Sequence, residues 1–111
     1  MTLLNEIKDI ITNLNIPVET GVFSGAAPNR YVVFVPLIDT YELYSDNLPF
    51  SSVEEIRISL FDKGNYLLIK KQIESAILTA EITVTERKYL GYDFDSGYHH
   101  IAIDVAKNYK L

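Results

Sequence analysis

Four side chains that can bind a metal or transfer protons lie within eight residues near the end of the chain. The segment "DFDSGYHH" carries Asp93, Asp95, His99 and His100. Imidazole and carboxylate groups suit zinc, iron or manganese. In the strand expected here, however, His99 would end the core face and His100 would point to the opposite face. The pattern therefore favours ordinary hairpin residues over a metal site, and a small metal- or ligand-binding enzyme using this cluster is the alternative.

Other sequence patterns for catalysis are weak. No serine lies in a GxSxG segment, and the five glycines are spread singly along the chain rather than in phosphate-binding patterns. The absence of cysteine excludes disulfides, thiolate nucleophiles and cysteine-ligated metals. The Glu54–Glu55 pair is expected to be solvated at the start of a strand. We therefore expect no enzymatic activity, no metal site and no cofactor.

Aromatic residues are the more informative feature, with eight tyrosines and five phenylalanines. Several lie on segments without a periodic apolar pattern, where burial within a monomer would be difficult. Exposed aromatic residues on irregular segments are typical of protein–protein contacts. The alternative is that these rings fold back onto the sheet. The candidate subunit-interface positions are Tyr41, Tyr44 and Phe50 in a loop, and Tyr92, Phe94 and Tyr98 around a hairpin tip.

Apolar residues at helical spacing predict two amphipathic helices. The first covers 2–15, with Thr2 placed to cap its N-terminus. The second covers 65–80. Ile11 and Ile73 lie in the middle of the two apolar stripes. We expect both stripes to be core rather than binding surfaces.

The remaining periodicity predicts strands. Strands joined by hairpins favour an antiparallel sheet, and two amphipathic helices would cover one of its faces. We predict a single α+β domain over residues 1–111, a two-layer, mostly antiparallel β-sheet with two helices packed on one face, in the order α-β-β-(β)-β-α-β-β. The predicted strands are 17–23, 31–37, 54–61, 81–94 and 97–109, with an optional short strand at 39–45.

A long loop is predicted at about 39–53. The segment combines aromatic and acidic residues with Pro49 and has no periodic apolar face. Long structureless connections are uncommon in compact domains and are usually functional or disordered. We expect this loop to be mobile in an isolated monomer and to order against another subunit.

The charge balance argues against broad nucleic-acid binding. The formal net charge is −5, and the ten basic residues are scattered along the chain. Nucleic-acid binding relies on clustered Lys and Arg side chains that neutralise phosphates. No apolar run approaches the roughly twenty residues that span a bilayer. The first residues also lack the pattern of a signal peptide.

The order of segments resembles that of small tail-completion or tail-terminator proteins of long-tailed phages and prophages. "YVVF", "YSDN", "EEIRISLF", "KGNY" opening a helix and "DSGYHHIAIDV" follow one another along the chain. The most specific pieces are Asp46–Asn47 before the long strand and the acidic–Gly–Tyr–His step into the last strand. The resemblance extends from the first helix to about Tyr109.

The resemblance implies a structural role in the virion. Members of that family have a sheet flanked by helices, and their copies join into a ring, usually of six, at the end of the tail tube. The ring stops tube growth and docks the tail to the head, and no catalytic residues exist. The implied partners are further copies of the chain, the tail-tube protein and the head-closure protein, while DNA passes through without specific binding. The implied location is the virion, and the host cytoplasm during assembly. Long loops reach neighbouring subunits, which adds Asp46 and Asn47 to the candidate interface positions.

Overall fold

The computed structural model describes the backbone of residues 2–19, 28–45 and 48–110, and the side chains of 2–19, 28–37 and 52–109. The fold is α+β, as the sequence predicts. Seven elements follow in the order α1 (Leu3–Asn13), β1 (Val18–Glu19), β2 (Arg30–Ser45), β3 (Leu48–Asp62), α2 (Tyr66–Thr79), β4 (Thr83–Tyr92) and β5 (His99–Lys110).

Each helix is capped by the side chain that precedes it. The hydroxyl of Thr2 accepts a hydrogen bond from the N–H of Asn5, with 3.2 Å between oxygen and nitrogen. At α2 the Asn65 side-chain oxygen accepts from the N–H of Leu68 at 3.3 Å. Such caps satisfy backbone donors that a helix leaves unpaired. Neither described helix is long and apolar enough to cross a membrane.

The five strands form one sheet in the order β1-β2-β3-β5-β4. β1 is parallel to β2, and every other neighbouring pair is antiparallel. Because β5 lies between β3 and β4, those two strands run parallel to each other with α2 as their crossover. The long β3 is therefore central, with Ile58 paired to Phe34 on one side and to Ile103 on the other.

Both helices pack on the same face of the sheet. The residues in the middle of the predicted stripes, Ile11 and Ile73, are fully buried. They belong to one core with strand residues that include Ile58 and Ile103. The opposite side, which carries the side chains of Tyr31, Phe61, His100, Arg57 and Asp104, is called the far face below. The other helix residues of the core are Leu3, Ile7, Ile69 and Ile77.

The predicted long loop at 39–53 is wrong, because its described residues on β2 pair with those on β3. Thr40 pairs with Val53, and Ser45 pairs with Leu48. The optional strand at 39–45 is the continuation of β2. A register shift between Pro36 and Ile38 interrupts the alternation that identifies a strand. Among the described residues of β2 and β3, the core ends at Phe34 and Ile56.

The ends of the other strands also differ from the sequence prediction. β1 covers only Val18–Glu19 of the predicted 17–23, and residues 20–23 lie outside the described residues. The turn between β4 and β5 is wider than predicted. It is closed by the side chain of Asp93, which accepts hydrogen bonds from the Asp95 N–H at 3.0 Å and the Ser96 hydroxyl at 2.9 Å. Such local side-chain bonds favour a turn over a strand.

Candidate functional site

Two groups of aromatic rings meet at the end of the sheet where β4 turns into β5. The first, called the outer ring cluster, consists of Tyr66, Tyr89, Tyr92, Phe94 and His99. Its ring centroids are 4.6 Å apart between Tyr66 and His99, 4.8 Å between Tyr92 and His99, and 5.0 Å between Tyr92 and Phe94. The cluster lies on the helix side of the sheet, because it includes the first residue of α2.

The outer ring cluster is largely open to solvent. The exposed fractions are 51% for Tyr89, 42% for Tyr92 and 90% for Phe94. The hydroxyl of Tyr89 is hydrogen-bonded to Nδ1 of His99 at 2.8 Å, which fixes both rings relative to each other. The cluster is thus an ordered and exposed aromatic surface. Surfaces of this composition are enriched at protein–protein interfaces.

The second group, called the inner ring row, lies on the far face and consists of Tyr31, Phe61 and His100. The register pairs Tyr31 with Phe61 and Phe61 with His100, so the three rings stand side by side on β2, β3 and β5. Tyr31 and Phe61 stack with centroids 4.8 Å apart and 15° between planes. Phe61 and His100 stack at 4.2 Å and 19°. A parallel stack therefore runs across three strands.

Tyr98 closes the end of the inner ring row. Its ring lies edge-on to Tyr31, with 5.3 Å between centroids, and its hydroxyl donates a hydrogen bond to the Pro28 carbonyl. Nζ of Lys63 lies 4.8 Å from the centroid of Tyr98. At this distance the positive charge of the lysine is attracted to the face of the aromatic ring, which is a cation–π interaction. These contacts hold Tyr98 in place although it precedes β5.

An ion pair holds the strand ends that carry the row. The buried carboxylate of Asp62 accepts from Nε of Arg30 at 2.7 Å and from the N–H of Gly64 at 2.7 Å. It thereby joins the start of β2 to the end of β3 and to the turn that leads into α2. Tyr31 directly follows Arg30, and Phe61 directly precedes Asp62. The ion pair between Arg30 and Asp62 therefore fixes the backbone that carries both rings.

A cavity of about 470 Å³ opens beside the inner ring row. This volume lies within the roughly 300–1,000 Å³ typical of ligand pockets. On β4, the residue next to His100 is its register partner Gly91, which carries no side chain. The cavity is lined by Tyr31, Phe61, Leu90, Gly91, Tyr92, Asp93, Ser96, Tyr98 and His100.

The cavity walls include the imidazole of His100 and the carboxylate of Asp93. Burial, together with the nearby charge of Arg57, lowers the pKa of His100 from 6.5. Its Nε2 atom is buried and has no hydrogen-bond partner among the residues that the structure describes. Hydrogen bonds from Ser96 and Asp95 lower the pKa of Asp93. At neutral pH the wall therefore presents an uncharged imidazole and a carboxylate.

The predicted interface positions divide into three groups. Tyr92 and Phe94 are exposed, as the sequence predicts, although their contact with another subunit stays a prediction. The expectation that Tyr98 would be hard to bury is wrong, because Tyr31 and Phe61 cover it and leave only 9% exposed. Outside the described part of the chain lie the side chains of Tyr41, Tyr44 and Phe50 and the whole of Asp46 and Asn47.

The candidate metal cluster is divided between the two faces of the sheet. His99 contacts Tyr66 on the helix side, whereas His100 stacks on Phe61 on the far face. Both oxygens of Asp93 accept hydrogen bonds within the turn. Among the described side chains, those of residues 2–19, 28–37 and 52–109, no three from His, Asp or Glu are placed to hold a metal ion. The arrangement suits ring stacking rather than metal ligation.

Four ring residues of the site are missing from the sequence-based candidates, namely Tyr31, Phe61, Tyr66 and Tyr89. A signal for two of them exists in the sequence. Tyr31 follows the breaker run "SGAAPNR" and Phe61 precedes the turn "DKGN", so both lie at the same end of a hairpin. Tyr66 and Tyr89 have no such signal, because only packing of α2 against β4 brings them together.

Comparison with known proteins assigns no family to the chain. No protein-family model matches it, and no curated protein shows significant similarity to it. The function is therefore inferred from the residues and their geometry.

Proposed function

We propose that the chain is a virion structural protein of a long-tailed phage or prophage. Copies of it assemble into a ring of six at the end of the tail tube. The ring terminates the tail and joins it to the head, contacting the tail-tube protein and the head-closure protein. The protein acts in the virion and, during assembly, in the host cytoplasm. The order of segments that resembles tail-completion proteins supports this proposal.

The observation that carries the proposal is the exposed outer ring cluster. The core is complete without Tyr92 and Phe94, so these rings contribute little to the stability of one chain. Large apolar side chains held in an ordered and exposed cluster are expected where another protein covers them. The exposure of Tyr89, Tyr92 and Phe94 fits a surface role.

The long β2–β3 hairpin supports an assembly role as well. Its described core contacts end at Phe34 and Ile56, yet its strands remain paired to Ser45 and Leu48. The molecule is elongated as a result, with extents of 54 × 28 × 23 Å. A hairpin that extends past the helix layer is suited to reach a neighbouring subunit. This extension takes the place of the loop that the sequence predicts.

The acidity fits a ring through which DNA passes. Each copy brings a formal charge of −5. Identical acidic subunits around a channel create a negative potential that disfavours adhesion of a polyanion. The proposed ring therefore lets DNA pass without binding it specifically.

An enzyme that uses Asp93, Asp95, His99 and His100 is the second candidate. One observation favours it, because Asp93 and His100 both line the cavity. His99 is on the other face of the sheet, and Asp93 is engaged by Ser96 and Asp95. The exposed ring of Phe94 has no part in such an enzyme. We therefore place the structural role first.

The proposed assembly is tested by measuring molar mass by light scattering over a range of concentrations. We expect the wild-type chain to form a closed oligomer, and the Tyr92→Ser/Phe94→Ser double variant to need at least about tenfold higher concentration to do so. Leu78→Ser is the matched control, since Leu78 is 62% exposed on α2 and lies outside the cluster. Circular dichroism checks that all variants fold.

The same variants distinguish a tail ring from other oligomers in a complementation assay for tail assembly and head joining. We expect the double variant to fail and the Leu78 control to restore infectious particles. A wild-type chain that stays monomeric at every concentration, alone and with tail tubes, would contradict the proposal. Full complementation by the double variant would remove the outer ring cluster as its basis.

A further inference from the structure

We propose that the inner ring row contains a pH-sensitive switch. His100 stacks in the row while its imidazole is neutral, and the ring turns into the adjacent cavity when it takes up a proton. The inference concerns a single chain and does not depend on the proposed function. It is carried by the burial of Nε2, the positive charge of Arg57 nearby and the open space beside the ring.

The position of His100 in the row suits a neutral imidazole. Its ring stacks on Phe61 with 4.2 Å between centroids, and Nε2 is buried without a hydrogen-bond partner among the described residues. A protonated imidazole carries a hydrogen on both nitrogens. The N–H at Nε2 would then be a buried donor without an acceptor, in a ring that bears a full charge. Attraction between the charged ring and the face of Phe61 acts in the opposite direction, but it supplies no acceptor.

The charged groups on the far face reinforce this preference. Burial and the nearby charge of Arg57 on β3 both lower the pKa of His100 from 6.5. The carboxylate of Asp104 is already bound to Arg57 through two hydrogen bonds. On β4, Lys88 pairs with Ala102, the next far-face residue of β5, and forms an ion pair with Glu86 at 3.2 Å. A proton on His100 would therefore add a positive charge beside an existing one.

The remaining ionisable groups against the row and its end are the phenols of Tyr31, Tyr92 and Tyr98 and the ammonium of Lys63. Lys63 lies 4.8 Å from the centroid of Tyr98. Burial raises the pKa of Tyr31 from 10.0, so this phenol stays neutral. Among side chains, only histidine ordinarily changes its charge between pH 5 and pH 8. A change in the row over this range is therefore assigned to His100.

The cavity offers a place for the charged ring. Its volume is about 470 Å³, and its walls include both His100 and the carboxylate of Asp93. The residue of β4 next to His100 is Gly91, where a Cβ atom would meet no atom within 4 Å among the described residues. Hydrogen bonds within the turn lower the pKa of Asp93, so its carboxylate is ionised in the same pH range. A ring turned into the cavity gains access to water and to this negative charge.

Loss of the stack reaches the turn between β4 and β5. The ring of Tyr98 packs against Phe61, with 6.3 Å between centroids, and the Tyr98 carbonyl accepts a hydrogen bond from the N–H of Asp93 at 2.9 Å. The row thus supports the turn that carries the exposed ring of Phe94. We expect protonation of His100 to loosen this support.

The pH range follows from the direction of the pKa change. Because the pKa of His100 is lower in the folded chain than the ordinary 6.5, the stabilisation is fully present above about pH 6.5 and decreases as the pH falls from there to the folded pKa. A histidine that stayed neutral in the folded chain would raise the equilibrium constant for unfolding about thirtyfold between about pH 7.5 and about pH 5. Uptake of the proton in the cavity makes the rise smaller than this limit.

The inference is tested by nuclear magnetic resonance on the full chain between about pH 8 and about pH 5. We expect the imidazole of His100 to titrate below pH 6.5. The ring protons of Phe61 and Tyr98 and the amide of Asp93 should shift with the same midpoint. Nuclear Overhauser contacts between the rings of His100 and Phe61 should weaken at acid pH, while contacts between the His100 ring and Gly91 should strengthen.

Two variants localise the effect. His100→Phe keeps a ring in the row without a titrating group, so its unfolding constant should rise about three- to thirtyfold less than that of the wild type between about pH 7.5 and about pH 5. His99→Phe is the matched control on the opposite face of β5, and it should keep the pH-dependent shifts of Phe61. The ring shifts in the wild-type chain test the switch even if His100→Phe does not fold.

Three results would overturn the inference. The first is a His100 midpoint at or above pH 6.5, and the second is a titration that leaves the ring contacts between His100 and Phe61 unchanged. The third is an equal pH dependence of unfolding for the wild type and a folded His100→Phe variant. Since these measurements read a single chain and not assembly, failure of ring formation would leave their outcome unchanged.

Discussion

The guanidinium of Arg57 and the carboxylate of Asp104 face each other across β3 and β5 and share two hydrogen bonds. Nε of Arg57 donates to Oδ1 of Asp104 at 2.9 Å, and Nη2 donates to Oδ2 at 3.2 Å. The two residues are direct register partners, and Asp104 is only 4% exposed. A carboxylate removed from water in this way depends on its partner.

We expect Arg57→Met to lower the free energy of unfolding more than the double variant Arg57→Met/Asp104→Leu does. The single change leaves a buried carboxylate without its cation, whereas the double change replaces both charges by apolar groups. Urea denaturation measures both variants. A double variant that is less stable than the single one would show that the pair is not the main role of Arg57.

The carboxylate of Glu6 joins α1 to the end of β5. It accepts hydrogen bonds from the Tyr109 hydroxyl and from Nζ of Lys107, the latter at 3.0 Å. Burial alone would raise the pKa of Glu6, but these hydrogen bonds and the charge of Lys107 outweigh it and lower the pKa from 4.5. Because the pKa is lower in the folded chain than in the unfolded chain, the stabilisation is present above about pH 4.5 and is lost as the pH falls through the folded pKa.

We therefore expect Glu6→Gln to flatten the acid side of the stability profile. Its free energy of unfolding should fall less than that of the wild type between about pH 6 and about pH 3. Asp9→Asn, on the exposed face of the same helix, is the control and should follow the wild type. Urea denaturation at a series of pH values supplies the data, and parallel profiles for Glu6→Gln and wild type would contradict the prediction.

The two helix stripes are expected to be core. Ile11→Ala and Ile73→Ala should each lower the free energy of unfolding by about 2–5 kcal/mol, because both side chains are fully buried and truncation leaves a cavity. Leu78→Ala, at an exposed position of α2, should change it by less than about 0.5 kcal/mol. Thermal or urea unfolding compares the three, and wild-type stability of either isoleucine variant would place its stripe outside the core.

Gly91 and Gly64 offer a matched pair for backbone conformation. Neither position is crowded, since a Cβ at Gly91 meets no described atom within 4 Å and one at Gly64 lies 3.5 Å from Asp62. Only Gly91 has a φ angle, +130°, that L-residues rarely adopt. Gly91→Ala should therefore destabilise the chain by about 1–3 kcal/mol, and Gly64→Ala should cost clearly less in the same unfolding assay. Equal costs would show that the backbone at Gly91 adapts to a side chain.

We expect the chain purified without a histidine tag to keep its melting temperature when a chelator is added. A bound metal stabilises a fold by mass action, so its removal lowers the melting temperature. His99 and His100 lie on opposite faces, so they cannot share one ion without rearrangement of β5. A drop of several degrees that zinc or manganese reverses would support the metal-binding alternative instead.

The spacing of apolar and capping residues within single segments of the sequence determined much of the architecture. The apolar stripes around Ile11 and Ile73 and the cap at Thr2 depend on residues within one or two helical turns, and the structure confirms all three. The opposite orientation of His99 and His100 follows from the alternation of side chains along any strand. The α+β class follows in turn, because amphipathic helices must cover an apolar sheet face.

Only the tertiary structure decided where the hairpin ends and which rings meet. A register shift after Pro36 interrupts the alternation of β2 and hides the strand at 39–45 from a periodicity argument. The strand at 48–53 is defined by its pairing with β2. The inner ring row depends on the pairing of three strands that lie far apart in sequence, and the open position beside it depends on Gly91 on a fourth. Tyr98 is buried for the same reason, since the rings that cover it come from β2 and β3. Contacts between distant segments are set by strand register, which composition and spacing within one segment do not encode.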